Sequence, residues 1–420
     1  MKIFKFGGAG INSIDRIKNL TSIITPVSNE PLVIIISAIG KTTNALEKVA
    51  EAFYAGNTTQ ALDLFDAVKK QHLNNAKYLL VTEFNTCLSA LTDFFTEVEW
   101  LLHDKPVRTY DYYYDQIVCC GELLSTCIIS HYLKEEKINN VWMDVRDIIR
   151  TDNNFRDANI DWQETEEKIN SLVSTALQES NIVITQGFIG CTDDNESTTL
   201  GREGSDFTAA VFGNILQATD VTIWKDVEGV MNVDPKLFTT AQLLQELSYE
   251  EVIEMAFYGA QVIHPKTIKP LQNKKIPLFV KCFIHPLNNG TVIHQKNQKN
   301  MPPVIVIKQQ QVLMHLTSKD FSFVGEALIT KLYALLAELK MKPNLIQTGA
   351  INIQLCLDDS SAKTEAFASA AAALFDVQIE KGLQLITIRH YHQEIIKELL
   401  ADKKIVLQQQ TKETLQALFF

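Results

Sequence analysis

Through the first two thirds of the chain, short apolar runs alternate with stretches whose apolar residues recur at helical spacing. Residues 2–6 and 32–37 read as strands, each followed by glycine and then a helical pattern. After the second, Leu46, Val49 and Phe53 mark the buried face of a helix. Further strands are expected at 182–188, 221–225 and 277–283. A helix is expected at 249–258, where Ser248-Tyr-Glu-Glu251 has the form of a capping box and Gly259 is the stop. Buried strands separated by helices imply an α/β class, with a mainly parallel sheet covered on both faces. Ligands of such sheets bind at the carboxyl ends of strands. Residues 115–133 differ. Ile117, Val118, Leu123, Leu124, Ile128, Ile129 and Leu133 surround that helix, so it is expected to be buried. Glu122 on it then needs a cationic partner or a cleft wall, unless it reaches solvent near the helix start.

Residues 288–303 are polar, with Asn-Asn-Gly and Pro-Pro, and read as a boundary and linker. Beyond it the order becomes βαββαβ. Strands are expected at 312–316, 345–348, 351–357 and 378–380, and helices at 324–339 and 362–375. A second, incomplete copy follows, with strands at 385–389, 405–408 and 415–418 and a helix at 393–401. Residues 304–307 can supply its missing strand, which would interleave the two copies.

Composition narrows the function. Hydrophobic residues make up 46% and aromatics 9%, a globular composition. The net charge of −11 argues against a nucleic-acid partner. Acidic and basic side chains balance past Met301, so the whole excess lies earlier. No apolar run suggests a membrane span and no signal peptide is evident, so a cytoplasmic setting is expected. The seven cysteines form no Cys-x-x-Cys pair and read as reduced, mostly buried thiols; no metal ligand set is expected.

Several stretches can carry chemistry. In Lys5-Phe-Gly-Gly8, an ammonium and backbone N–H groups at a strand end can reach a phosphate. An ordinary turn is the plainer reading. Ser37-Ala-Ile-Gly-Lys-Thr-Thr43 is not a P-loop, because Ile35 stands where glycine is required. Its hydroxyls suit a carboxylate or phosphate oxygen, or a helix cap. At residues 198–210, TTLGREGSDFTAA, Gly201 and Gly204 permit a tight turn and Ser205 can cap the helix that follows. Arg202 offers a planar fork for a carboxylate, and Asp206 can hold an ammonium; an internal Arg–Asp pair is the alternative. Asp226 can approach magnesium or nucleotide, or serve its turn. His264, before Pro265, reads as structural. No Ser-His-Asp or Cys-His set is evident. A carboxylate phosphoryl acceptor is already ionised at neutral pH, so positioning and cations would suffice.

Together, Lys5-Phe-Gly-Gly8, Ser37-Ala, Gly121-Glu122, residues 199–206, Asp226-Val-Glu-Gly-Val230, Asp234-Pro and Gly259-Ala-Gln-Val-Ile-His-Pro265 resemble aspartate kinase, in that family's order. The likeness covers about residues 1–285, and the tail resembles paired ACT domains. It implies a three-layer αβα amino-acid-kinase domain at 1–295, binding aspartate in its N-terminal part and ATP in its C-terminal part. A ferredoxin-like (ACT) α+β regulatory region would follow at 303–420. By the resemblance, Lys5 stabilises the transferring phosphoryl group and Gly7 and Gly8 lend N–H groups. Ser37, Thr43 and Ser205 line the aspartate pocket, Arg202 grips a carboxylate, and Glu122 and Asp206 face the α-ammonium. Lys225, Asp226, Asp234, Lys236 and Gln261 lie along ATP. ATP and Mg²⁺ are implied cofactors, lysine or threonine an implied effector, and a homodimer or homotetramer the implied assembly. Ala9 and Gly10 replace two hydroxyls usual in the family. Gln261 stands where many members have lysine, and Lys225 where threonine is usual. Another acceptor on the same fold, or an amino-acid sensor, stays open.

Overall fold

Side-chain alternation along the first strand sets the layers. Phe4 and Phe6 join one hydrophobic cluster with residues of helices Thr42–Tyr54, Thr58–Leu79, Phe84–His103 and Cys120–Glu135. Ile3 and Lys5 face the other side, where helix Gly204–Ile215 packs close to Ile3 at Gly213. The computed structural model describes all 420 residues except Val262, Asn297, Lys299 and Phe321. Val262 of the 259–265 motif, and Asn297 and Lys299 of the expected linker, therefore lie outside the described residues.

Contacts divide the chain into two compact units. The first comprises Met1–Val230, Leu243–Ile253 and Gln261–Gln298; the second comprises Met231–Gln242, Glu254–Ala260 and Lys299–Phe420. The strands of the first are β1 (Lys2–Phe6), β2 (Leu32–Ile36), β3 (Val141–Trp142), β4 (Ile182–Gln186), β5 (Ile189–Cys191), β6 (Ser197–Thr199), β7 (Asp220–Lys225), β8 (Glu246–Ser248), β9 (Leu278–Cys282) and β10 (Thr291–His294). Eight form one sheet in the order β3-β4-β2-β1-β7-β9-β10-β8, parallel at every pairing except β9–β10. β5 and β6 make a separate antiparallel pair. Every residue of β2 and β4 is buried, as strands with both faces covered require. This is the mainly parallel three-layer αβα architecture.

Two local expectations change. The helix expected at 115–133 is two helices, Tyr110–Val118 and Cys120–Glu135, meeting at Cys119. The stretch Tyr110–Glu135 is apolar enough to cross a membrane, but 89% of its most apolar window is buried in the core. The polar boundary at 288–303 contains β10. Only Thr291 and Ile293 of that strand point inward, too short an alternation to stand out among its polar neighbours.

The strands of the second unit are β11 (Val304–Ser318), β12 (Leu345–Thr348), β13 (Asn352–Asp358), β14 (Phe375–Arg389), β15 (Ile405–Gln410) and β16 (Thr414–Phe419). They form an antiparallel sheet ordered β12-β13-β11-β14-β16-β15. β11 and β14 pair along most of their 15 residues each, with register shifts between Lys308 and Leu313. The C-terminal part of β11 also pairs β13, and the C-terminal part of β14 also pairs β16. Each half of the sheet therefore has the four-strand order of a ferredoxin-like unit. Val304–Lys308 pairs with Leu385–Arg389 at the C-terminal end of β14. Strands expected separately at 304–307 and 312–316, and at 378–380 and 385–389, are each one long strand. Their polar midpoints, with Gln310 and Gly382 at positive φ, form the irregularity that divided the hydrophobic pattern.

Candidate active site

The site is built where the strand order reverses. β2 and β4 extend the sheet on one side of β1, and β7 and β9 on the other. Such switch points open a crevice at the strands' carboxyl ends. Lys5 near the end of β1, Ser37 just past β2 and Lys225 at the end of β7 all reach it. Lys5 Nζ lies 2.7 Å from Asp206 Oδ1, and Lys225 Nζ lies 3.5 Å from Asp206 Oδ2. Lys5 and Asp206 are both buried. Burial alone would raise the Asp206 carboxyl, but the charges of Lys5 and Lys225 outweigh it and hold the group below its ordinary value.

Gly201, at φ +74°, and Glu203, at φ +54°, turn the chain into helix Gly204–Ile215 and place Asp206 in its first turn. A Cβ on Gly204 would meet the Phe188 ring at 2.7 Å. One on Gly187 would lie 2.5 Å from Ser205 Cβ. The two glycines thus let the helix start close onto the end of β4. Ser205 does not cap this helix. Its hydroxyl lies inside the first turn and accepts from Ser37 Oγ at 2.9 Å. Thr43 does not cap either. Thr42 donates back to the Ile39 carbonyl at 2.7 Å, and Thr43 faces the cavity. His264 is structural, its Nδ1 accepting from Lys266 N at the start of helix Pro265–Lys274.

Glu122 does not reach solvent. Its Oε1 accepts from Ala38 N at 3.3 Å, while Oε2 is buried without a hydrogen-bond partner. Burial lifts its carboxyl from the ordinary 4.5 to about 8, against the opposing pull of the Ala38 N–H and the Lys5 charge.

These groups share a cavity of about 490 Å³, lined by Lys5, Ser37, Thr43, Glu122, Arg202, Ser205, Asp206 and Lys225. Gly7, Gly8, Asp226, Asp234, Lys236 and Gln261 are not among its lining residues. Gly7 lies against Lys5 Nζ, and Gly8 presses on the Ala38 carbonyl so closely that a Cβ would meet its oxygen at 2.5 Å. Asp226 and Gln261 are exposed in the first unit. Asp234 and Lys236 belong to the second, where Asp234 Oδ1 accepts from Lys236 N at 2.9 Å.

Sequence reasoning missed Arg156, Tyr114 and Thr199, which line the same cavity. Buried Asp115 organises them. Its carboxylate accepts from Arg156 N, Thr199 N and Thr199 Oγ1, at 2.9, 2.9 and 2.7 Å. Arg156, at φ +70°, lays its guanidinium 4.4 Å from the centre of the Tyr114 ring. The available signal was Asp115 itself, an acid on an apolar helix like Glu122.

A switch-point cavity that gathers two lysines, two arginines and several hydroxyls is suited to an anionic substrate, the setting that phosphotransferases use. The chain belongs to the amino acid kinase family, whose profile matches residues 1–282. Among the curated proteins it is similar to are aspartokinases. It is 29% identical over 396 residues to lysine-sensitive aspartokinase 3 of Escherichia coli, covering 92% of this chain and 86% of that one. It is 31% identical over 370 residues to chloroplastic aspartokinase 2 of Arabidopsis thaliana, covering 85% and 66%. The fold is similar to solved structures of E. coli aspartokinase III. The form in complex with lysine and aspartate (T-state) superposes with a TM-score of 0.81 at 27% identity, covering 100% of this chain and 95% of that one. The form with aspartate and ADP (R-state) gives 0.80 at 27% identity, covering 100% and 96%.

Proposed function

We propose that this chain is an aspartate kinase, transferring the γ-phosphoryl group of MgATP to the side-chain carboxylate of L-aspartate to give 4-phospho-L-aspartate and ADP. The product would be committed to lysine, threonine and methionine synthesis. The observation that carries this reading is the convergence of Lys5, Glu122, Arg202 and Asp206 on one cavity from segments far apart in sequence.

Arg202, exposed at the cavity wall, grips a substrate carboxylate through its planar fork. Glu122 receives the α-ammonium, ionising as the cation arrives. Ser37, Thr43 and Ser205 offer hydroxyls to the acceptor's oxygens. Asp206 is already engaged with two ammonium groups, so its part in catalysis is to hold Lys5 and Lys225 where negative charge builds on the phosphoryl oxygens. The acceptor carboxylate attacks phosphorus as the bond to ADP breaks, and no proton needs to be abstracted. Gly7 and Gly8 lend backbone N–H groups, and Asp226 and Gln261 of the first unit lie along the nucleotide. Mg²⁺ arrives with ATP. The cavity's acids suit this, because Asp206 is committed to lysines and Glu122 is protonated until substrate binds.

Lysine is the first effector to test at the antiparallel second unit, because a relative of the same architecture is lysine-sensitive; threonine is the second. A homodimer or homotetramer and a cytoplasmic setting complete the reading. Hydroxamate trapping over aspartate, glutamate and N-acetylglutamate tests the acceptor. Arg202→Ala should raise the aspartate KM about 100-fold, as loss of a charge-assisted bidentate contact does, whereas Lys5→Ala should mainly cut kcat. Full activity in both variants would end the site assignment.

A further inference from the structure

Two helices of the first unit bring two thiols and an imidazole to one point. Cys87 lies on helix Phe84–His103, and Cys127 and His131 lie four residues apart on one face of helix Cys120–Glu135. Their sulfur and ring-nitrogen atoms all fall within 4.8 Å of one another. Tetrahedral zinc, with bonds of about 2.3 Å to sulfur and 2.0 Å to nitrogen, sets its ligand atoms roughly 3.5–3.8 Å apart. The observed spread exceeds that separation by at most about 1 Å. Both cysteines are buried, and the His131 side chain is 12% exposed. Glu83, at the head of the first helix, holds His131 Nδ1 at 2.9 Å through Oε2. A carboxylate on the imidazole is the usual device for orienting a metal-binding histidine. None of these residues lines the kinase cavity, and phosphoryl transfer has no use for them.

We propose that Cys87, Cys127 and His131 bind a thiophilic divalent cation of the zinc class, with Glu83 orienting the imidazole. The ion clamps helix Phe84–His103 to the helix that carries Glu122. Binding displaces the thiol protons to solvent and needs no oxidant. The role is structural, tying the helix that carries Glu122 to its neighbour at Cys127, five residues beyond Glu122.

The test uses the full chain, reduced with a phosphine, stripped by chelation and titrated with Co²⁺. The expected result is a thiolate-to-cobalt charge-transfer band that saturates at a single equivalent and is competed away by Zn²⁺, with Zn²⁺ also raising Tm. Cys87→Ser and Cys127→Ser should each abolish the band, and Glu83→Gln should weaken affinity by about 10-fold. Should a cysteine variant fail to fold, His131→Gln gives the same readout from a more exposed position. Three outcomes would each overturn the assignment: no band in the reduced wild-type chain, a band that survives in the variants, or a Cys87–Cys127 disulfide in protein isolated without reductant that takes up no metal.

Discussion

Replacing Glu122 with glutamine separates the burial of that side chain from its chemistry. In the wild-type chain the carboxyl is lifted from 4.5 to about 8, which at about 1.4 kcal/mol per unit corresponds to about 5 kcal/mol. Burial is the principal cause, so the folded chain holds this proton at pH values where the unfolded chain has released it. Folding stability must then fall as pH rises from 4.5 towards 8, and the loss is complete above the folded value. Glutamine keeps the shape and an acceptor for the Ala38 N–H but cannot ionise. Denaturant unfolding of both proteins across this range should show the wild-type stability declining relative to Glu122→Gln, by up to about 5 kcal/mol in total. Substrate reverses the preference. An α-ammonium beside Oε2 favours the carboxylate, so aspartate binding near neutral pH should release a proton, visible as a calorimetric enthalpy that varies with buffer. The same variant should raise the aspartate KM about 10- to 100-fold, the scale of one hydrogen bond to a charged group. A stability difference that stays flat with pH would refute the buried-acid argument, and an unchanged KM would refute its role in binding.

Three other perturbations follow from the geometry. Lys225→Met removes one of the two cations on Asp206; kcat should fall about 100-fold and the acidic limb of the pH–rate profile should move upward, because the Asp206 carboxyl loses support. Gly8→Ala drives a Cβ against the Ala38 carbonyl oxygen, a backbone atom that cannot swing away; a cost of about 1–3 kcal/mol in thermal unfolding and loss of turnover are expected, and a wild-type Tm would contradict the contact. Asp115→Asn cannot accept all three hydrogen bonds that fix Arg156 and Thr199; denaturation should show a loss of about 1–3 kcal/mol, and kinetics a higher aspartate KM.

What the sequence disclosed follows from how far each signal extends along the chain. β1, β2, β4 and β7 were legible because short runs dominated by β-branched and aromatic residues, each leading into small or charged residues, have few other readings. The cavity's acids and cations were legible as types, since Glu122 is conspicuous on a helix that is apolar all round and Arg202 sits between glycines. Partnership was not legible. Nothing local says that Lys225, across the sheet from its own turn, shares Asp206 with Lys5, or that Asp115 pins the loop bearing Arg156. Arg156 is brought to the Tyr114 ring from 41 residues beyond Asp115, whose carboxylate holds the Arg156 backbone amide. Likewise, Cys87 and Cys127 follow no local spacing rule, because their approach is set by helix packing.

The two 15-residue strands that run through both halves of the antiparallel sheet carry a further consequence. Neither half is a separable module. A premature stop that removed β15 and β16 would strip one flank from β14 and expose a hydrophobic edge inviting self-association. For the same reason, β11 and β14 each lend hydrogen bonds to both halves, so neither half can be lost without unpairing backbone in the other.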